Sequence, residues 1–135
     1  MSNQTFNRLI NNQLFTRFTW LRFIGFEFWM VGFTPFFIGY VVSSRELYSF
    51  DLLYGFLIIA LLTSSTFVLN HICDIDLDKK NPRKEFSLLV RGTIDLRTSW
   101  FLFWILQLTC IMLSFNFNLE FLYCILGLTI ISFVY

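Results

Sequence analysis

Asn70, Asp74 and Asp78 stand four residues apart. On a helix that spacing lines three oxygen-bearing side chains along one stripe, over about 12 Å of axis. Asp76 lies roughly 200° around the helix from Asp74 and faces elsewhere. Carboxylates at i and i+4 repel each other, so this stripe asks for a cation. Mg²⁺ takes hard oxygen ligands, usually one or two carboxylates together with substrate phosphate oxygens. The stripe therefore reads as half of a metal–diphosphate site, with Asp74 and Asp78 as the metal ligands and candidate catalytic residues. The competing reading is a loop charged only for solubility. Asp74, Asp76 and Asp78 falling within five residues, one turn after an Asn, weighs against it.

Four long apolar stretches must hold that stripe in place. Residues 23–42 carry one charge, Glu27; residues 52–69 and 99–115 carry none; residues 119–135 carry Glu120 at their edge. Crossing a ~30 Å hydrocarbon layer takes about 20 apolar helical residues. The sequence predicts an all-α, multi-pass transmembrane bundle of four helices in one domain over 1–135. Its spans fall at about 23–42, 52–70, 99–115 and 119–135, with a charged loop at 71–98. Pro35 alone interrupts a stretch, which membrane helices tolerate. The first stretch begins too late and runs too long for a secretory signal.

Composition agrees. Only 14% of residues are charged and 56% are apolar, against about 25% charged in an ordinary soluble domain. Mean hydropathy is +0.65. Nineteen Phe and four Trp exceed what so small a core can hide, so most face lipid. The chain is neither disordered nor a soluble globule. Ten Lys+Arg against nine Asp+Glu lack the basic excess of a nucleic-acid binder. Cys73, Cys110 and Cys124 follow no disulfide or zinc spacing and read as small apolar packing residues.

The charges sort by segment. Arg8, Arg17 and Arg22 precede the first stretch with no acid among them. Arg45, Glu46 and Asp51 lie in the first link, and residues 116–118 carry no charge. Lys79, Lys80, Arg83, Lys84, Arg91 and Arg97 crowd the long loop. Basic residues mark the cytoplasmic side. The chain is thus expected to be integral to the membrane, with its N-terminus, the charged loop and Tyr135 at the cytoplasmic face. Glu27, one turn into the first span, is a secondary candidate, although Arg22 is near enough to pair with it. Gly25, Gly32 and Gly39 recur every seven residues and read as one smooth helix stripe for close packing. Phe101, Phe103 and Trp104 read as packing or lipid-facing residues.

The run Asn70-His71-Ile72-Cys73-Asp74-Ile75-Asp76-Leu77-Asp78 resembles the first signature of the UbiA-type membrane prenyltransferases. That signature is Asn-Asp-x-x-Asp-x-x-x-Asp, at the cytoplasmic end of the second transmembrane helix. The continuation Asp78-Lys79-Lys80-Asn81-Pro82-Arg83-Lys84-Glu85 is similar to the branch that contains lycopene elongases and related carotenoid-modifying prenyltransferases. Gly92-Thr93-Ile94 resembles the family's exit from the loop. The resemblance implies an enzyme in the lipid bilayer that moves a prenyl group from a prenyl diphosphate to a lipophilic acceptor, here a carotenoid. It implies Mg²⁺ on Asp74 and Asp78, and a substrate-binding role for Asn70. Two positions depart from the pattern. His71 replaces an Asp, and Ser87-Leu88-Leu89 stands where members commonly carry Arg-Pro-Leu. Imidazole is a poorer partner for Mg²⁺ than carboxylate. Arg83, Lys84 and Arg91 are then candidates for diphosphate binding by their chemistry alone.

Members have about nine spans in two halves, each half with an Asp motif. The sequence has one such cluster, and the resemblance covers about the first half of the family. The expectation is an N-terminal half that lacks a C-terminal partner half and is inactive alone. The alternatives are a non-catalytic membrane fragment that only packs or binds a partner, and an ion-handling bundle. The last is weakened because its acids lie at the membrane edge rather than at midspan.

Overall fold

The computed structural model describes residues 20–44, 49–84 and 87–134. Arg8, Arg17, Arg45, Glu46, Glu85 and Tyr135, used above for orientation and motif, lie outside the described residues. Every regular element among the described residues is helical. The apolar stretches become α1 (Trp29–Ser44), α2 (Phe50–Cys73), α4 (Leu96–Phe117) and α5 (Leu119–Val134), with a single turn, α3 (Ile75–Asp78), after α2.

Local polar groups set the helix ends. Ser49 accepts from the Leu52 N–H and starts α2. Asp95 accepts from the Thr98 N–H and starts α4. The Asn118 side chain accepts from the Phe121 N–H at 2.6 Å, so one residue suffices between α4 and α5. Each satisfies an N–H that the first helical turn leaves without a backbone partner. Gly25 adopts φ +65° just before a 3₁₀ turn at Phe26–Phe28. Its conformation suits glycine, and a Cβ there would sit 2.5 Å from Cγ of Phe67.

That turn corrects the glycine reading. Gly25 lies outside α1 and abuts Phe67, whereas Gly32 meets Thr63 and Ile59 of α2. A Cβ at Gly39 would meet nothing within 4 Å beyond its own helix among the described residues. The period is real, but the helix begins only after the first of the three, so no single stripe forms.

α2 is the central helix. α4 packs against it most extensively, α1 packs on it as well, and α5 lies mainly against α4. The core has two apolar clusters. One, at the end carrying the acids, joins Phe23, Val68, Leu69, Ile72, Leu88, Leu89, Ile94 and Phe103. The other joins Ile58, Ile59, Leu62, Cys110 and Ile125. Between them lies a polar layer. The Ser65 hydroxyl is 2.7 Å from Gln107 Oε1, and Gln107 Nε2 donates to Thr129 Oγ1 at 2.6 Å. Large apolar side chains such as Met30, Leu53, Phe101, Met112 and Ile130 face outward, as lipid-facing positions do. Of the three expected packing or lipid-facing residues, Phe103 is in the core while Phe101 and Trp104 are exposed. Cys110 is buried as a packing residue, and Cys73 and Cys124 are exposed.

The chain is an all-α membrane helical bundle. Phe26–Ser43, Phe50–Cys73 and Leu96–Phe117 are long and apolar enough to cross a membrane. α5 is apolar but has 16 residues, about 24 Å of helix, so length alone does not make it a crossing.

Candidate functional site

The last turn of α2 presents Asn70 and His71, Asp74 caps it, and α3 carries Asp76 and Asp78. The helical path is not fully continuous. At Asp74 the backbone takes φ −88° and ψ 2°. The four-residue spacing survives this step, because the Asp74 N–H bonds to Asn70 O at 2.9 Å and the Asp78 N–H to Asp74 O at 2.8 Å.

The environments of the two expected ligands differ. Asp78 is buried, at 8% exposure. Asp74 is exposed, as is Asn70, and Asp74 makes no ion pair within 4 Å among the described residues. Asp76 pairs with Lys79 at 3.8 Å with its side chain 88% exposed, away from the buried group. A buried carboxylate needs partners to offset its lost hydration. Asp78 has two: Lys84 Nζ lies 3.5 Å and His71 Nδ1 3.9 Å from the same oxygen, Oδ2.

Lys84 reaches Asp78 because the chain doubles back. Asn81 accepts from the Arg83 N–H through its side chain and from the Lys84 N–H through its carbonyl. Pro82 then opens a 3₁₀ turn, Pro82–Lys84, that returns Lys84 towards α3. Arg83 in the same turn is exposed. Arg91, also exposed, sits where Leu88 O receives the Thr93 N–H and Gly92 turns with φ +68°. Thus, of the expected site residues, the structure joins Asp78 with Lys84. It leaves Asn70, Asp74, Arg83 and Arg91 on the exposed surface of the same end.

Two features were not read from the sequence. His71 is fixed by its ring, which stacks on Phe23 with centroids 5.1 Å apart and planes 9° apart. Leu88 and Leu89, where the family pattern would place a basic residue close by, are buried in the apolar cluster. Leu88-Leu89-Val90 inside a charged loop was the available signal. Next to Phe23 in the sequence, Arg22 meets Glu27 at 3.9 Å with both side chains largely exposed. That geometry fits an interfacial pair and gives Glu27 no buried partner to act on.

No group of three or more His, Cys, Asp or Glu is gathered to hold a metal among the described residues. Two carboxylates and an amide oxygen at one helix end nevertheless fit Mg²⁺ in kind, because this ion keeps several waters and takes phosphate oxygens for the rest. The sequence model of the UbiA prenyltransferase family matches residues 32–135, a range that contains the whole Asn70–Asp78 run. No curated protein and no solved structure gives a significant match.

Proposed function

The chain belongs to the UbiA prenyltransferase family, and from that premise we propose that its charged end is a prenyl diphosphate half-site facing the cytoplasm. The reaction it serves is transfer of a prenyl group to a lipophilic acceptor. The lycopene elongase-like run after Asp78 points to a carotenoid as that acceptor. The observation carrying this reading is Asp78 itself, a buried carboxylate neutralised by Lys84 inside the family-matched stretch.

In this reading Asp74 and Asp78 would hold Mg²⁺, whose positive charge would offset the negative charge of the departing diphosphate. Asn70 offers its amide to the same group. Arg83, Lys84 and Arg91 would supply cations from the loop. Stabilising charge that develops on a leaving group is electrostatic catalysis, effective where water is excluded. The apolar bundle receives the prenyl tail, and α5 makes a fourth crossing that helps enclose it.

One Asp cluster offers two carboxylates on one side of a diphosphate. We propose that a second cluster, on a further half of the enzyme, meets it from the other side. The test supplies that half from a related family member, in cis or by co-expression, and follows transfer of labelled prenyl diphosphate. Mg²⁺-dependent transfer, lowered by about tenfold or more in Asp74→Ala and in Asp78→Ala, is expected. Robust metal-dependent transfer by the 135-residue chain alone would show the site to be complete without that partner. A chain that supports no transfer with any partner half would instead be a packing or binding element.

A further inference from the structure

We propose that His71 is a positioning residue for Asp78 and not a metal ligand, and that Phe23 is its support. The inference rests on the half-site reading above. Three observations carry it. The imidazole lies flat on Phe23, itself buried in the core at 3% exposure, so the ring plane is fixed from outside the motif. Its Nδ1 edge is turned to Oδ2 of Asp78. Lys84 approaches that same oxygen from the loop.

His71 and Lys84 both approach Oδ2, and together they bias the orientation of the carboxylate that would take the cation. An aspartate at position 71 would place a third carboxylate beside Asp78. A histidine on an aromatic shelf instead orients the carboxylate already there. Outer partners of this kind orient metal-binding side chains and tune their affinity. The departure from the family pattern at position 71 then changes the role of the position from ligation to orientation. It also ties the half-site to residue 23, at the start of the first apolar stretch.

The test is Mn²⁺ binding to the detergent-solubilised full chain, read from the free-ion electron paramagnetic resonance signal, with circular dichroism checking helicity. Asp78→Asn is expected to abolish binding. His71→Ala should weaken it by about tenfold, and His71→Gln, which keeps a polar edge, should recover most of that loss. Phe23→Leu touches no metal-binding group, yet it should weaken binding in the same direction by a smaller factor. Should His71→Ala fail to fold, His71→Gln against the similarly sized His71→Leu carries the comparison.

Binding that needs Asp78 but is indifferent to His71→Ala and Phe23→Leu overturns the positioning role and leaves the half-site standing. Tighter binding by His71→Asp, with no effect of Phe23→Leu, makes position 71 a ligand and also overturns the proposal. Absence of Mn²⁺ binding by the unaltered chain overturns the metal half-site, and this inference with it.

Discussion

Midway through the bundle, Ser65, Gln107 and Thr129 join three helices by neutral hydrogen bonds of 2.6–2.7 Å. At the charged end, Asp78 meets Lys84 and His71 at 3.5 and 3.9 Å. Both places bury polar atoms, but they leave different amounts undone. The midspan amide is used at its oxygen and its nitrogen, so nothing there is held ready for a ligand. The charged end relies on a cation whose side chain is 44% exposed, and such a pair is exchanged at little cost. Short, closed, neutral bonding marks the part that fixes helix register. Long, open, charged contacts mark the part fitted to receive something.

The sharpest way to break this contrast is at the carboxylates. With the second half proposed above supplied, Asp78→Ala and Asp74→Ala should each lower Mg²⁺-dependent transfer by about tenfold or more, measured with labelled prenyl diphosphate. Next comes Gln107→Leu, which fills the same space without the amide. Ser65 keeps its bond to Leu62 O and Thr129 its bond to Ile125 O, so neither hydroxyl is orphaned. The expected loss is about 1 kcal/mol of stability, seen by unfolding in mixed micelles, with Mn²⁺ affinity unchanged. A change in metal affinity there would erase the distinction between the two regions.

The smaller effects sharpen the same line. Asp76→Asn removes a pair that is almost wholly in solvent and should shift stability by no more than about 0.5 kcal/mol, with transfer unaffected. Loss of transfer comparable to that of Asp78→Ala would place Asp76 in the site. The mildest change is expected from acid. The Thr98 hydrogen bond holds the Asp95 carboxyl below its ordinary range. A lowered pKa means that the cap contributes fully above the ordinary value and is lost as pH falls through the lowered one. Amide exchange at residues 96–99 should quicken there, while residues deep in α4 stay protected.

Much of this was legible in the sequence, for reasons that can be named. Long apolar stretches placed in lipid must satisfy their backbone as helices, and α1, α2, α4 and α5 each fall on one of the four stretches. Their ends were less legible because caps act through single residues. Asp95 with Thr98 starts α4 ahead of the apolar run, and Gly25 delays α1 by turning left-handed. The Asn70, Asp74 and Asp78 spacing was visible, but the unequal burial of the two acids was not. It depends on Asn81 and Pro82 folding Lys84 back. Gln107 was hidden because one amide barely changes the average of a long apolar run. The role of His71 was hidden because its shelf, Phe23, is 48 residues away in sequence.

The polar layer also bears on how the chain enters the bilayer. Both bonds from Gln107 reach other helices, Ser65 on α2 and Thr129 on α5. The hydroxyls of Ser65 and Thr129 each have a carbonyl on their own helix to fall back on. Released singly into hydrocarbon, α4 would carry a bare amide, at a cost of a few kcal/mol. α2 is synthesised first and offers Ser65 as soon as α4 emerges, and Thr129 follows 22 residues after Gln107. The single-residue turn at Asn118 brings α5 alongside at once. Insertion of α4 is therefore easiest when its amide can pair at once with Ser65 on α2 and Thr129 on α5.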